Sequence, residues 1–220
     1  MISDATRSQL DALSFGNRPL VICDVDEVVV HFTSEFEDFL AERGLWLDTS
    51  SFALNGNVRH NRGNHPIGNG EVAGLIDRFF VERTLHMKPI EGAIDALMHI
   101  GEHADVVLLT NLPHTSGDDR RRNLAGHGLP FPVVTNSGPK GPAVRHLASQ
   151  VKTSTVFIDD SPSFIASAYE YAPDVHLVHF LHDHRFARHV ETFDYLSLRT
   201  GSWREAHPHI LDVLDVKDKY

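Results

Sequence analysis

The chain has 220 residues, of which 41% are hydrophobic and 23% charged, with a formal net charge of −10 and a pI near 5.8. This length suits one large domain, or a core domain with a small accessory one, and it can bury a sizeable core. The acidic balance argues against nucleic-acid polymers and anionic membrane surfaces as main partners. It still allows a small phosphorylated substrate, because a local cation can reverse the field in a pocket.

The sequence predicts a soluble, cytoplasmic protein. Its first residues lack a basic segment followed by an apolar stretch, and no apolar run approaches the roughly 20 residues of a membrane span. Cys23 is the single cysteine, so no internal disulfide can form, and we expect a buried, inert thiol. The sequence leaves a monomer and a homodimer equally open.

The predicted elements alternate between strands and helices along most of the chain. Apolar runs predict buried strands at 20–23, 106–109, 132–135, 155–158 and 175–180. Periodic apolar residues and capping signals predict helices at about 34–43, 72–80, 91–101, 117–126, 142–150, 163–171 and 202–214. Ser34 and Ser202 are expected to cap the first and last of these helices. Residues 55–70 are rich in Gly and Asn and predict a mobile loop.

This alternation predicts an α/β fold, in which a Rossmann-like parallel sheet is covered by helices on both faces. In such sheets, ligands bind beyond the carboxyl ends of the strands. Polar side chains follow three of the predicted strands at that point, namely Asp24 and Asp26, Thr110 and Asn111, and Asp159 and Asp160. We expect the acids to share a cation there, because like charges this close repel one another.

Four segments in chain order resemble the motifs of the haloacid dehalogenase-like (HAD) superfamily. They are the strand followed by Asp24-Val25-Asp26, the strand ending at Thr110-Asn111, Lys140 at the start of a helix, and the strand ending at Asp159-Asp160. Each segment alone is common in unrelated proteins, whereas the four in this order over residues 20–180 are specific. The resemblance implies the HAD core fold and phosphoryl-transfer chemistry.

The resemblance also implies a role for each catalytic residue. Asp24 would attack phosphorus and form an aspartyl-phosphate. Asp26 would protonate the leaving group and then act as a base toward water. Thr110 and Asn111 would hydrogen-bond the phosphoryl oxygens, and Lys140 would neutralise the nucleophile and the developing charge.

The same resemblance implies a Mg2+ site formed by Asp24, Asp26, Asp159 and Asp160, with Asp26 contributing its backbone carbonyl. Family members that displace halide lack an acid at the Asp26 position, so its presence favours phosphoryl transfer. Glu27 stands where many members have Gly, and this departure leaves the local turn open.

A cap over the site is a further implication of the resemblance. Residues 1–31 and 89–220 would form the core domain, and residues 32–88, inserted after the first strand, would form a small α-helical cap. The segments 24–32 and 88–93 resemble the small-cap deoxyribonucleotidase branch of the superfamily. Caps of this kind exclude water and carry substrate selectivity.

Basic residues outside the four motifs are open to more than one interpretation. Arg59 and Arg62, in the polar loop, could bind a second anionic group of the substrate or could be solvated. Arg120-Arg121-Arg122 predict a solvated helix face. A transition-metal site in the His-rich segment, residues 176–189, is a further alternative, but His176 and His179 lie three apart on a strand and point to opposite faces.

We therefore predict a Mg2+-dependent phosphohydrolase that acts on a small phosphomonoester, and among such esters we favour a nucleoside monophosphate. One alternative is a phosphomutase-type transfer, in which a substrate hydroxyl replaces water as the acceptor. Another is a catalytically idle HAD-fold protein with a binding or regulatory role. The intact motif set argues against the idle protein, and the sequence leaves the physiological substrate open.

Overall fold

The computed structural model describes residues 2–215, and within this range the chain forms eight strands and nine α-helices. The strands are β1 (Leu20–Cys23), β2 (Leu45–Leu47), β3 (Val58–His60), β4 (Asp105–Thr110), β5 (Val133–Thr135), β6 (Thr155–Asp159), β7 (His176–Phe180) and β8 (Leu198–Thr200). The helices are α1 (Asp4–Asp11), α2 (Thr33–Ala41), α3 (Asn69–Arg83), α4 (Ala93–His103), α5 (Gly117–Gly126), α6 (Gly141–Ala148), α7 (Pro162–Tyr171), α8 (His184–Ala187) and α9 (Trp203–Val213). The predicted core domain also includes residues 1 and 216–220, which lie outside the described residues.

Six strands form one parallel sheet in the order β5-β4-β1-β6-β7-β8. β1 lies in the interior of this sheet, where Val21 pairs with Val106 of β4 on one side and with Val156 of β6 on the other. The carboxyl ends of parallel strands meet at one edge, so the residues that follow β1, β4 and β6 are brought together there. The predicted parallel sheet is confirmed.

Both faces of the sheet are covered, because successive residues of β1 belong to two different hydrophobic clusters. Val21 and Cys23 pack into the larger cluster, to which α4, α5 and α9 contribute buried residues. Leu20 and Ile22 pack into the other, formed with α1, α6 and α7. Successive residues of a strand point to opposite faces of the sheet. A strand that is buried on both faces therefore requires an unbroken apolar run.

Between β1 and β4, residues 32–87 form an insertion that begins and ends at neighbouring points of the chain. At this point the two chain segments lie side by side, since the amide of His31 donates to Lys88 O (3.0 Å) and the amide of Ile90 donates to Val29 O (2.8 Å). The inserted segment contains α2, α3 and an antiparallel pair formed by β2 and β3. Phenylalanines from α2 and α3 join the larger hydrophobic cluster. The boundary of an independent cap domain at 32–88 stays a prediction.

Two local predictions about this insertion are wrong. The stretch 55–70 is not a loop throughout, because β3 pairs with β2 and buries Val58 completely. Ser34 does not cap α2, which begins one residue earlier, at Thr33. A side chain from outside the helix, described below, accepts the hydrogen bonds of its first amides.

Short elements with weak apolar patterns were the hardest to predict. Four elements of three to eight residues each have no counterpart among the predicted elements, namely α1, β2, α8 and β8. At the last helix, Ser202 is the N-cap, as predicted, and accepts a hydrogen bond from the amide of Arg204. Within residues 2–215, no helix combines the length and the apolar composition that crossing a membrane requires.

Gly141, next to Lys140, provides a test of how closely α6 packs on α7. A Cβ atom at Gly141 would lie 2.2 Å from the carbonyl oxygen of Ser167. We therefore expect Gly141→Ala to lower the free energy of unfolding by about 1–3 kcal/mol, measured by urea denaturation, because α6 would have to move away from α7.

Gly126→Ala is the matched control for this measurement. A Cβ atom at Gly126, in the last turn of α5, meets nothing within 4 Å. The control should leave stability unchanged or raise it by up to about 1 kcal/mol, because Ala favours the helix. Equal stability of the two variants would contradict the packing described for Gly141.

Candidate active site

The site begins where β1 ends. The amide of Asp24 still donates to Ile158 O of β6 (2.9 Å), so this residue remains part of the sheet. The chain then turns sharply, and the carbonyl of Val25 accepts hydrogen bonds from the amides of Val29 and Val30 (2.8 and 3.0 Å). Val25, Val28, Val29 and Val30 are fully buried. The buried valines anchor the turn, which leaves the carboxylates of Asp24 and Asp26 at the edge of the sheet.

Lys140 joins the ends of two strands. Its Nζ lies 2.5 Å from Asp24 Oδ1 and 2.7 Å from Asp159 Oδ2, and its side chain is fully buried. Burial disfavours the ammonium, but Asp159 and Asp24 outweigh this effect and raise the pKa of Lys140 above its ordinary value. Lys140 is therefore a permanent cation between two carboxylates.

Burial also affects the acids. It raises the pKa of Asp24 to about 7, and Lys140 opposes this shift. Burial raises the pKa of Asp160 well above its ordinary value, and the charges of Asp159 and Asp24 add to this effect. One lysine is thus insufficient to stabilise three carboxylates in their ionised form.

The same three acids form a group that fits a hard dication. Asp24, Asp159 and Asp160 each offer a carboxylate oxygen, and these oxygens all lie within 4.8 Å of one another. Mg2+ prefers such oxygen ligands, and its charge would relieve their mutual repulsion. The side chain of Asp26 is outside this group, so its predicted metal contact, through the backbone carbonyl, stays a prediction.

Asp26 instead bonds to residues from the next strand and helix. Its Oδ2 accepts a hydrogen bond from Thr110 Oγ1 (3.0 Å), at the end of β4. Its Oδ1 accepts one from the guanidinium of Arg120 (2.5 Å), on α5. The predicted neighbour Asn111 donates to Gly138 O (2.9 Å) and faces the cavity described below. The structure therefore brings Asp24, Asp26, Thr110, Asn111, Lys140, Asp159 and Asp160 together at one edge of the sheet.

The prediction that Arg120 belongs to a solvated face is wrong. Its side chain is fully buried, while Arg121 and Arg122 do face solvent and pair with Asp118 and Asp119 on their own helix. Nε and Nη1 of Arg120 are also buried, without a hydrogen-bond partner among the described residues. The spacing held a signal: Arg120 lies four residues before the buried Leu124, which places it on the inner face of α5.

The turn after β1 accommodates Glu27 at the position where the resemblance described above leaves the local turn open. The backbone of Glu27 has a positive φ of 63°, a conformation that suits Gly and costs other residues about 1–2 kcal/mol. Its buried carboxylate accepts hydrogen bonds from the amides of Phe32 (3.1 Å) and Thr33 (2.7 Å) at the start of α2. A carboxylate at a helix N-terminus is stabilising, so Glu27 ties the insertion to the loop that carries Asp24.

A cavity of about 300 Å³ opens beside Asp24, Asp26 and Asn111. The apolar part of its wall is formed by Phe32, Leu47, Phe52, Ala53, Leu54, Ile76, Phe80, Phe164, Leu181 and Phe186, and Glu27, Thr33, Asp160, His182 and Asp183 contribute polar side chains. Arg59 and Arg62 do not line it. Arg59 pairs with Asp48 (3.2 Å) and donates to Asn64 O. Binding of substrate by the two arginines stays a prediction.

Two histidines of the His-rich segment, His179 and His182, lie at the site. His176 is exposed and His179 is buried, so the two point to opposite faces of β7, as predicted. Nε2 of His179, on β7, lies 2.9 Å from the backbone oxygen of Asp160. This hydrogen bond links β7 to the residue that follows β6. His182 lines the cavity, where its ring lies 5.2 Å from that of His31.

Comparison with solved structures identifies the fold. A HAD family hydrolase from Deinococcus radiodurans with bound phosphate and sodium is 16% identical, with a TM-score of 0.60 over 90% of this chain and 97% of that one. A HAD-type hydrolase of Bacillus subtilis bound to magnesium is 13% identical, with a TM-score of 0.60 over 91% of this chain and 100% of that one. An L-2-haloacid dehalogenase is 13% identical, with a TM-score of 0.54 over 89% of this chain and 100% of that one.

Two further comparisons found no match. No family model matches the sequence. No curated protein matches it either. At these identities the structural likeness establishes the fold, and the chain has the HAD-like fold that the order of its motifs predicts. The fold is shared by phosphate-binding hydrolases and by a dehalogenase, so the reaction must be argued from the site.

The Arg120–Asp26 pair can be tested by removing the guanidinium. We expect Arg120→Met to lower the free energy of unfolding by roughly 3 kcal/mol in urea denaturation, because Asp26 would keep a largely buried charge without its partner. Arg122→Met is the control, since the Arg122 side chain is 70% exposed on the same helix, and it should change stability little. A loss of similar size in both variants would contradict the assignment of Arg120.

Proposed function

We propose that the protein is a Mg2+-dependent phosphohydrolase that cleaves a small phosphomonoester through an aspartyl-phosphate at Asp24. The observation that carries this proposal is the position of Lys140, whose Nζ lies between the buried carboxylates of Asp24 and Asp159, beside the partly exposed Asp160. An anionic nucleophile can approach a phosphate dianion only where cations offset the repulsion. The structural neighbours that hold phosphate and magnesium support this proposal by analogy.

In the first step, a carboxylate oxygen of Asp24 attacks phosphorus while the bond from phosphorus to the ester oxygen breaks. Asp26 gives a proton to the departing alkoxide, which leaves as an alcohol, and Asp26 is left as the carboxylate that Arg120 binds. Thr110 is within hydrogen-bond reach of Asp26 and holds its carboxyl group in place. Lys140 stabilises the charge that the transferred group brings toward Asp24.

In the second step, Asp26 accepts a proton from water, and the resulting hydroxide attacks phosphorus of the aspartyl-phosphate. The bond between phosphorus and Asp24 breaks, which releases inorganic phosphate and restores the carboxylate. Asp24, Asp159 and Asp160 would hold Mg2+, which would supply positive charge to compensate the negative charge of the phosphoryl group.

Replacing the nucleophile tests this mechanism. We expect Asp24→Asn to lower phosphate release at least about a thousandfold, because the amide cannot form the covalent intermediate. Phosphate is measured after incubation with phosphomonoesters in Mg2+, and again after addition of EDTA, which should also stop the reaction. Asp118→Asn, a change at an exposed position on α5, is the control and should retain full activity.

The outcomes of this experiment separate the alternatives. Full activity in Asp24→Asn would overturn the nucleophile. Turnover of the ester with little free phosphate would indicate transfer to a substrate hydroxyl, as in a phosphomutase. Absence of any turnover by the folded wild-type chain would indicate a binding or regulatory protein.

The cavity supports a more specific substrate. Next to the acids, its wall contains five phenylalanines and five aliphatic side chains, and among residues 2–215 neither a lysine nor an arginine lines it. A second anionic group on the substrate would therefore find no lysine or arginine among the described residues that line the cavity, whose wall also includes the acidic side chains of Glu27, Asp160 and Asp183. We propose a monoester whose alcohol carries an uncharged aromatic ring that can pack against these apolar side chains, a class that includes nucleoside monophosphates.

Matched alkyl esters test the substrate class. We expect kcat/KM for 2-phenylethyl phosphate to exceed that for ethyl phosphate at least about tenfold, because the ring buries apolar area in the cavity. Both esters release a primary alcohol, so the comparison separates binding from leaving-group reactivity. Carboxyethyl phosphate, which adds an anionic group instead, should be no better than ethyl phosphate.

Two variants assign the preference to the cavity. Phe52→Ala should remove most of the gain for 2-phenylethyl phosphate and leave ethyl phosphate unchanged, whereas Tyr171→Ala, at an exposed aromatic outside the cavity, should affect neither. A preference for carboxyethyl phosphate that disappears in Arg59→Ala or Arg62→Ala would instead support binding of a second anion by these arginines.

A further inference from the structure

Three side chains at the end of α4, far from the Asp24 cluster in sequence, form a second group of potential metal ligands. His99, Glu102 and His103 each offer a ligand atom, and these atoms all lie within 4.8 Å of one another. Their spacing of three and four residues places them on one face of the helix. Two imidazoles at positions i and i+4 of a helix can reach a single ion without any change of the backbone.

A fourth residue, from α9, contacts this group. Nε2 of His207 lies 2.8 Å from Nδ1 of His99, and the two ring centroids are 5.0 Å apart. The His99 ring is also packed against that of His103, at 5.3 Å and 85°. The ring of His99 is therefore held between a residue of its own helix and one of the neighbouring helix.

The chemistry of this group differs from that of the active site. Imidazole nitrogens with one carboxylate suit Zn2+ and similar transition-metal ions, whereas the all-carboxylate cluster at Asp24 suits Mg2+. A metal-bound histidine commonly donates its other ring N–H to an acceptor that fixes the ring. Nε2 of His207 is placed to accept from Nδ1 of His99, which would leave Nε2 of His99 for the ion.

We propose that His99, Glu102 and His103 bind one Zn2+ ion, with solvent completing its coordination, and that His207 is a positioning residue that orients His99. The site is separate from the proposed phosphohydrolase centre and does not depend on it. Since His207 lies on α9, an ion at His99 would strengthen the contact between α4 and α9. α9 in turn carries Trp203, whose indole nitrogen donates to Val28 O (2.8 Å) in the loop that follows Asp24.

The proposal is tested by metal binding to the full, untagged chain after removal of metal with EDTA. We expect calorimetric titration with Zn2+ to show one site per chain with micromolar or tighter affinity, and Zn2+ to raise Tm. His103→Ala should weaken this binding at least tenfold, and His86→Ala, at an exposed histidine on the 3₁₀ turn Thr84–His86, should leave it unchanged. Equal Zn2+ affinity in the wild type and His103→Ala would overturn the site.

Co2+ distinguishes coordination at this site from binding by the carboxylate cluster. Bound Co2+ should give visible absorption bands that are lost in His103→Ala and retained in Asp24→Asn. The positioning role of His207 predicts an altered Co2+ spectrum and about tenfold weaker Zn2+ binding in His207→Ala, with recovery in His207→Gln, which keeps an acceptor. An unchanged spectrum and affinity in His207→Ala would exclude that role, and bands lost only in Asp24→Asn would exclude the site.

Discussion

The candidate active site depends on one buried cation, Lys140, held between Asp24 and Asp159. These carboxylates end two neighbouring strands, so without the ammonium their repulsion would oppose the pairing of the strands at that edge. Lys140 is fully buried, so its ammonium reaches both carboxylates only if the start of α6 lies close to the ends of both strands. Gly141 permits that placement, since α7 passes where a side chain would otherwise stand.

A second constraint links the inserted segment to the same loop. Glu27 accepts the first amides of α2, and Trp203 of α9 donates to the carbonyl of Val28. The loop after β1 is therefore held from the insertion on one side and from the last helix on the other. The strained backbone at Glu27 is retained because its carboxylate makes two hydrogen bonds that glycine could not make.

Much of the fold and of the site could be predicted from the sequence, since strand ends are marked by changes from apolar to polar residues. Asp24, Thr110 and Asp159 fall at such changes, and parallel pairing brings them together whatever the details of the loops. The burial of Arg120 could not be predicted from residue type, because its two neighbours are also arginines. Which of the three is buried depends on the face of α5 that meets Asp26. β3 could not be predicted, because three residues in a Gly-rich stretch are too few to show the alternation of apolar and polar residues that is typical of a strand. Only its pairing with β2 defines it.

The interior place of β1 in the sheet has a consequence for how the molecule loses its order. Two strands lie on one side of β1 and three on the other, and the amide of Asp24 is itself bonded within the sheet. Fraying that begins at the short outer strands β5 or β8 must first release β4 on one side, or β7 and β6 on the other, before it reaches the nucleophile. Slow amide exchange at Asp24 and faster exchange at both margins would be the signature of this gradient.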